Sequence, residues 1–209
     1  MDLFATAVRD VGELDALYEP SSALVLGKQI DHLDAGCRAY LSVCRFVVLS
    51  SAGVDGRCDT TPRGGPAGFV TVLDDRTLAI PDATGNRRLD TVRNVVATGR
   101  LGLLAVLPGR GQTLRINGRA CVSRDPELLA RLSPVGRAPL TALVMAVEEV
   151  FTHCPKAFVR SGLWDQATWP SADEQPSPAS LLRGHVGVDS LSLADAEQAL
   201  LEAVTTKLA

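Results

Sequence analysis

The sequence predicts a mainly β, α+β fold: an antiparallel barrel with flanking helices. Two observations carry this. From Phe46 onward, short apolar runs rich in β-branched residues alternate with turn residues. The runs are spaced for hairpins with one short helix among them, which leaves too few crossovers for a parallel α/β sheet. Closing such a set of strands removes its exposed edges, so a closed barrel is the favoured arrangement. With 209 residues, one domain with peripheral additions is expected, and the chain can bury a substantial core.

Val8, Val11, Leu14 and Leu17 recur every three residues, so an amphipathic first helix should stop before Pro20. Ser21 and Ser22 can cap a second helical stretch. Ile30, Leu33, Cys37, Tyr40 and Leu41 then carry helical spacing through residues 31–43. His32, in that helix, has no second histidine near it and is expected to be structural or exposed. Residues 46–50 are a strand, Ala52-Gly-Val-Asp-Gly56 signals a hairpin, and residues 57–61 return as its partner. Pro62-Arg-Gly-Gly-Pro66 should break that partner; residues 69–73 are the next strand, Asp74-Asp75 turns, and residues 76–80 complete a hairpin.

Pro81 has no N–H for a ladder and should end the strand, and Asp82, Thr84, Gly85 and Asn86 suit a turn. Leu89, Val92 and Val96 recur at helical spacing, in a helix whose first turn is expected to carry Arg87 and Arg88. Residues 101–107 are a strand, Pro108-Gly-Arg-Gly111 a turn, and residues 112–123 a long strand. Asp125-Pro126 opens a short helix in cap-then-proline order. Residues 140–151 are a final long strand, although Met145, Ala146 and Glu148 leave a helix open. Residues 169–178, rich in Pro, Ser and acidic side chains, read as a linker or surface loop. Ser192-Leu-Ser-Leu-Ala-Asp-Ala-Glu197 starts a helix with Leu193, Ala196, Leu200, Leu201 and Val204 on one face, which must pack on the barrel or on a partner subunit. The expected division is residues 1–45 as helices on the barrel, 46–169 as the barrel, and 170–209 as linker and carboxy-terminal helix.

A net charge of -3 and a pI near 5.6 give no overall electrostatic reason to bind nucleic acid or an anionic membrane. Five dispersed cysteines without a C-x-x-C pair indicate neither a disulfide framework nor a zinc knuckle, and are read as reduced thiols. No signal peptide is recognisable, and the apolar runs at residues 101–107 and 142–147 fall short of the ~20 residues that span a bilayer, so a cytoplasmic protein is expected.

Side-chain nucleophile chemistry finds no support: there is no G-x-S-x-G, H-E-x-x-H or Walker loop, and only three histidines. His153-Cys154 is no metal site, because adjacent residues rarely reach one ion and no further ligand pair is suitably spaced. A distributed set of turns and arginines remains. A helix start bearing Arg87 and Arg88 combines free N–H groups with guanidinium forks that match a phosphate. A solvated Arg-Arg pair at an ordinary helix start is the alternative. Arg63 stands at a glycine-flanked turn where backbone can approach a ligand, and Gln112, Arg115 and Asn117 put polar side chains along a strand.

Taken together, Arg57-Cys-Asp-Thr-Thr-Pro-Arg-Gly64, Val72-Leu-Asp-Asp-Arg-Thr-Leu-Ala-Ile-Pro-Asp82, Gly85-Asn-Arg-Arg-Leu-Asp90, Leu107-Pro-Gly-Arg-Gly-Gln-Thr-Leu-Arg-Ile-Asn-Gly118 and His153-Cys-Pro-Lys-Ala157 resemble the pyridoxamine 5'-phosphate oxidase-like flavin-binding split-barrel proteins. The resemblance runs from about residue 31 to residue 169. It implies a homodimeric split barrel with FMN in clefts shared between subunits. Carried over, Asn86, Arg87 and Arg88 hold the phosphate, Thr61, Pro62 and Arg63 lie near the ring, and Gln112 and Thr113 reach the cofactor from the other subunit. Ile80, Asp82 and Gly85 complete the cofactor set, and Arg160 or Trp164 closes the cleft. No catalytic side chain is singled out, as expected where the cofactor carries the redox chemistry.

The arginine-led apolar strand and basic substrate pocket of the true oxidases are missing; Thr60-Thr-Pro-Arg-Gly64 occupies the corresponding region, so vitamin B6 is not the expected substrate. The expectation is an FMN-dependent oxidoreductase exchanging hydride or electrons between a small molecule and NADH, NADPH or oxygen. The alternatives are a non-catalytic flavin-binding or storage protein and a deazaflavin- or haem-handling relative.

Overall fold

The computed structural model describes residues 3–83, 85 and 87–205. A short 3-10 turn, Leu3–Thr6, precedes α1 (Val11–Asp15) and α2 (Ala23–Gly27), and α3 (Ala35–Val43) leads into the sheet. The first helix is shorter than its periodicity suggested. Val8, Val11, Leu14 and Leu17 are all exposed, so nothing in the single chain rewards extending the pattern. Ser22 caps α2 as expected. The third helix starts at Ala35 rather than at residue 31, because the Asp34 carboxylate accepts from Cys37 N at 2.7 Å and fixes the cap there. Leu33, Cys37 and Leu41 are buried against the barrel.

The strands are β1 (Phe46–Ala52), β2 (Cys58–Gly64), β3 (Thr71–Val72), β4 (Thr77–Asp82), β5 (Arg100–Val106), β6 (Thr113–Ser123) and β7 (Thr141–His153). Between β4 and β5 runs α4 (Asp90–Thr98), and between β6 and β7 runs α5 (Pro126–Arg131). The sheet order is β2-β1-β5-β6-β7-β4-β3, antiparallel throughout. β2 and β3 are its two ends and do not pair among the described residues, so the barrel is split rather than a closed ring. The interior is lined by alternate residues such as Val47 and Leu49, Leu101 and Leu103, Leu114 and Ile116, all at most 3% exposed. Each such side chain contributes about 1.5–3 kcal/mol on burial. A register shift between Asn117 and Gly118 bends β6 against β7.

Two prolines expected to stop strands do not. Pro62 lies inside β2, opposite Val48, and is tolerated because β2 is an edge with no further neighbour to receive an N–H. Pro81 lies inside β4, opposite Ala142. Leu140 N donates to Asp82 O, so Asp82 faces β7 and its neighbour Pro81 faces the other way. There β3 pairs only with Leu78 and Ala79, and no ladder bond is lost. The strand expected over residues 69–73 is correspondingly short, and Phe69 and Val70 are buried outside it.

The helix after β4 also differs from expectation. It begins at Asp90, so Arg87 and Arg88 stand in the preceding turn and not in its first turn. Thr91 and Val95 form its buried positions, while Leu89 and Val96 are exposed. The Asp125 cap with Pro126 at the start of α5 holds, with Asp125 Oδ1 accepting from Leu128 N at 2.8 Å, and residues 141–153 settle the open case as a strand.

After β7 come α6 (Lys156–Ser161), a 3-10 turn Gln166–Thr168, α7 (Pro178–Val186) and α8 (Leu193–Thr205). α6 and α7 had no sequence expectation. Ser177 caps α7 with Pro178 next to it, which brings the loop reading of residues 169–178 to an end at its last residue. Ala179 and Ala196 are buried where α7 and α8 meet, whereas Leu193, Leu201 and Val204 remain exposed. Among the described residues no helix is long and apolar enough to cross a membrane.

Candidate functional site

β2 presents a polar face. Asp59, Thr61 and Arg63 are half-buried while Cys58, Thr60 and Pro62 are exposed, as strand alternation requires. The Thr91 hydroxyl donates to Asp59 Oδ2, Ser51 Oγ lies 3.4 Å from the same oxygen, and Asn94 Nδ2 donates to Ser51 Oγ at 3.0 Å. This network ties α4 to the β1–β2 hairpin and so fixes the turn before α4 relative to β2.

Arg63 reaches across to the end of β4, with Nη2 3.3 Å from Asp82 Oδ1. Burial pushes the Asp82 carboxyl above its ordinary value, and the Arg63 charge pulls it back down. Arg63 Nε is buried and has no hydrogen-bond partner among the described residues. An unsatisfied donor in such a place is uncommon and calls for an acceptor.

In the turn between β4 and α4, Gly85 has φ 44° and Arg87 φ 61°. A non-glycine residue in the left-handed region costs of order 1 kcal/mol. Arg87 and Arg88 project into solvent, and Arg88 Nε pairs with Asp90.

These groups surround a cleft of about 520 Å³ that brings together Thr61, Pro62, Arg63, Gly85 and Arg88 with Asp59, Asp90 and Thr91. A recess of about 130 Å³ adjoins it, sharing Arg63 and Gly85 and adding Phe69, Pro81, Asp82 and Val135. The cleft is in the size range of small-molecule sites. Asp59, Asp90 and Thr91 were not foreseen. Asp59 shares the period of Thr61 and Arg63, a signal hidden by expecting the strand to stop at Pro62.

The remaining sequence candidates lie elsewhere. Ile80 is fully buried in the barrel core, so its side chain faces no cleft. Thr113 is 2% exposed at the start of β6, and the Gln112 side chain is exposed while its carbonyl accepts from Tyr40 OH at 3.1 Å. Arg160 and Trp164 line a separate cleft of about 600 Å³. Asn86 lies outside the described residues, as does Thr84. Among the described residues no group of three or more His, Cys, Asp or Glu is placed to hold a metal ion. All five cysteines are free thiols, with Cys37 and Cys44 buried.

The sequence model of the pyridoxamine 5'-phosphate oxidase family matches residues 33–154, more than half of the chain. No curated protein matches the sequence significantly. Among solved structures, HupZ of Group A Streptococcus is 15% identical, with 57% of this chain and 92% of that one covered at a TM-score of 0.44. A protein of Clostridium acetobutylicum related to general stress protein 26, of the pyridoxinephosphate oxidase family, is 13% identical, covering 55% and 83% at 0.42. A conserved hypothetical protein of Mycobacterium tuberculosis is 13% identical, covering 69% and 92% at 0.44.

Proposed function

The chain belongs to the pyridoxamine 5'-phosphate oxidase family, one of flavin-binding, oxidoreductase-type proteins that are usually dimeric, and on that premise we propose that it is an FMN-dependent oxidoreductase. The observation that carries the reading is the cleft between β2 and the turn before α4, with Arg63 and Arg88 on its wall, Arg87 next to it, and the buried Arg63 Nε without an acceptor. This donor set fits FMN. A dianionic phosphate suits paired guanidinium groups, and a ring edge bearing carbonyl and nitrogen acceptors suits a buried, unpaired N–H.

Arg87 and Arg88 would hold the phosphate, with Gly85 allowing close backbone approach. Thr61, Pro62 and Arg63 would border the ring, and Asp82 would keep the Arg63 fork oriented. Gln112 and Thr113 would reach the cofactor from a second copy of the chain. Bound FMN supplies hydride or single-electron transfer between a small-molecule substrate and NADH, NADPH or oxygen. The side chains contribute binding, orientation and a partly dry wall.

Mass spectrometry of the small molecules released by denaturing the purified protein tests this reading. FMN is expected, together with bleaching of a yellow protein by NADH or NADPH. Release of a deazaflavin or haem in place of FMN overturns it, and FMN that neither nicotinamide nor oxygen turns over reduces the protein to a flavin binder.

A further inference from the structure

Tyr40, near the end of α3, packs against the barrel core beside the buried Cys37 and Leu41. Its hydroxyl lies 3.2 Å from Ala105 O on β5 and 3.1 Å from Gln112 O, where the chain enters β6. A phenol has a single hydrogen to donate, so the two carbonyls share it as a three-centre bond. Four residues on, Cys44 Sγ donates weakly to Val106 O at 3.7 Å. The end of α3 is thereby stitched to the end of β5 at two neighbouring residues, and through Tyr40 to Gln112 as well. Burial raises the Tyr40 hydroxyl above its ordinary pKa, with Cys44 adding to the shift, so the hydrogen stays in place at neutral and mildly alkaline pH.

Gln112 needs such a tie. The β5–β6 ladder ends at the pair Ala105–Leu114, and β6 meets β7 only from Thr113 onward, so Gln112 belongs to no strand pair among the described residues. Before it stands a turn closed by Arg110 N donating to Leu107 O at 3.0 Å. Gly111 is pressed against the start of α6, since a Cβ there would sit 2.5 Å from Pro155 Cβ. The entry to β6 is thus held by Pro155 at Gly111 and by Tyr40 at Gln112. A residue outside the ladder takes its direction from contacts like these, and losing one returns backbone freedom to it. We propose that Tyr40 is a positioning residue: by holding the Gln112 carbonyl beside that of Ala105, it aims the Gln112 side chain at the cofactor bound to a second copy of the chain. This rests on the FMN cleft shared between two copies and adds a direction of action. Tyr40 serves the flavin of the other copy and not the one held by its own Arg87 and Arg88.

FMN titrated into full-length apo-protein, followed by fluorescence quenching, is the readout. Tyr40→Phe keeps the ring and removes one neutral hydrogen bond, so FMN should weaken about three- to tenfold. Gln112→Ala should weaken it at least as much, and Tyr40→Phe/Gln112→Ala no more than Gln112→Ala alone, because the hydroxyl acts through that side chain. Gln112→Ala is decisive even if Tyr40→Phe fails to fold. A dimer of one Arg87→Ala/Arg88→Ala chain and one Tyr40→Phe chain, isolated on two affinity tags, separates positioning from a general loosening of the fold. Its intact arginines belong to the Tyr40→Phe chain and are completed by Gln112 of the chain that keeps Tyr40, so half of its sites should bind FMN with wild-type affinity. A merely structural tyrosine would weaken the flavin site of its own chain and leave no such site. Unchanged affinity in Tyr40→Phe or in Gln112→Ala, additive losses in the double variant, or a mixed dimer without a wild-type site each overturns the proposal. FMN affinity unchanged in Arg87→Ala/Arg88→Ala dimers would count against the phosphate reading alone, and the comparison of Tyr40→Phe with Gln112→Ala then still decides.

Discussion

Arg63 Nη2 stands 3.3 Å from Asp82 Oδ1, while Nε of the same guanidinium is buried with no acceptor among the described residues. The pair joins an edge strand to the far end of the sheet, across the opening between β2 and β4. Asp82→Ala should cost roughly 1–3 kcal/mol, because it leaves a half-buried charge without its counter-charge. Replacing both partners with apolar residues of similar size, Arg63→Met with Asp82→Leu, should cost less than the sum of the single changes, since no uncompensated charge then remains. Urea unfolding of the four proteins measures this; additive losses would mean that the pair is screened and contributes nothing as a pair.

Gly118 is where β6 bends, and an added Cβ there would overlap Ala146 O on β7. The obstacle is backbone, which cannot swing aside as a flexible side chain can. Gly118→Ala should therefore destabilise by about 1–3 kcal/mol through overpacking and loss of the bulge geometry. A loss below about 0.5 kcal/mol, the ordinary surface range, would show that the bulge can relocate.

Most strands were legible because period-2 burial writes itself into the sequence: residues 101–107 and 112–123 alternate as they do in β5 and β6. What failed were inferences about where strands stop. Pro62 and Pro81 are strong breakers only where a ladder N–H is required, and whether a strand is an edge is a property of the assembled sheet, invisible in the local residues. The same failure concealed Asp59 as a neighbour of Thr61 and Arg63. Val8, Val11, Leu14 and Leu17 share a periodicity that ends exposed, because periodicity reports a face and not what covers it. Reading Arg87 and Arg88 as an anion-binding pair rests on residue type alone. Their place before the helix depends on a positive φ at Arg87, which no local preference of arginine announces.

The thiols divide by environment. Burial, with the neighbouring Asp34 carboxylate, pushes Cys37 up to about 11, and burial raises Cys44 as well. Cys58, Cys121 and Cys154 are exposed. At about pH 8 a disulfide-exchange reagent should therefore label these three quickly and reach Cys37 and Cys44 only on unfolding, because the thiolate is the reacting form. Rapid labelling of Cys37→Ser/Cys44→Ser protein at the wild-type stoichiometry confirms the division; a drop in the fast count overturns it.

His153 is disfavoured as a cation. Partial burial lowers its pKa first, and Arg115 and Lys28 lower it further. Its ring lies 5.1 Å from that of Phe151, which both cations also approach, Lys28 Nζ at 5.5 Å and Arg115 Cζ at 5.4 Å. A base whose folded pKa is depressed binds fewer protons folded than unfolded. Its contribution to stability is present above the unfolded pKa of about 6.5 and is lost as pH falls through that value toward the folded one. His153→Gln should flatten the fall in unfolding free energy between about pH 7.5 and pH 5, whereas an unchanged slope would assign the acid sensitivity to other groups.

Arg87 and Arg88 should dominate the anchoring of the cofactor phosphate. Charge-assisted hydrogen bonds of this kind contribute roughly 1.5–3 kcal/mol, and truncating one partner of a charge pair costs about 2–5 kcal/mol. Alanine at either position should then weaken FMN by roughly 30-fold to several thousandfold, with 1.4 kcal/mol counting as tenfold. Arg88→Lys should recover only part of that loss, since lysine keeps the charge and gives up the bidentate fork. The pairing of Arg88 with Asp90 adds a second, opposite arm. The Arg88 side chain is 80% exposed, so this pair contributes at most about 1 kcal/mol, and Asp90→Asn should tighten FMN by no more than roughly fivefold as one competing negative charge is removed. Riboflavin, which has the ring and no phosphate, should bind weakly and discriminate little among all these variants. Fluorescence quenching on titration of apo-protein reads each affinity. Unchanged FMN binding in Arg87→Ala/Arg88→Ala, with circular dichroism showing an intact fold, would mean that the two arginines are a solvated pair and that the phosphate is held elsewhere.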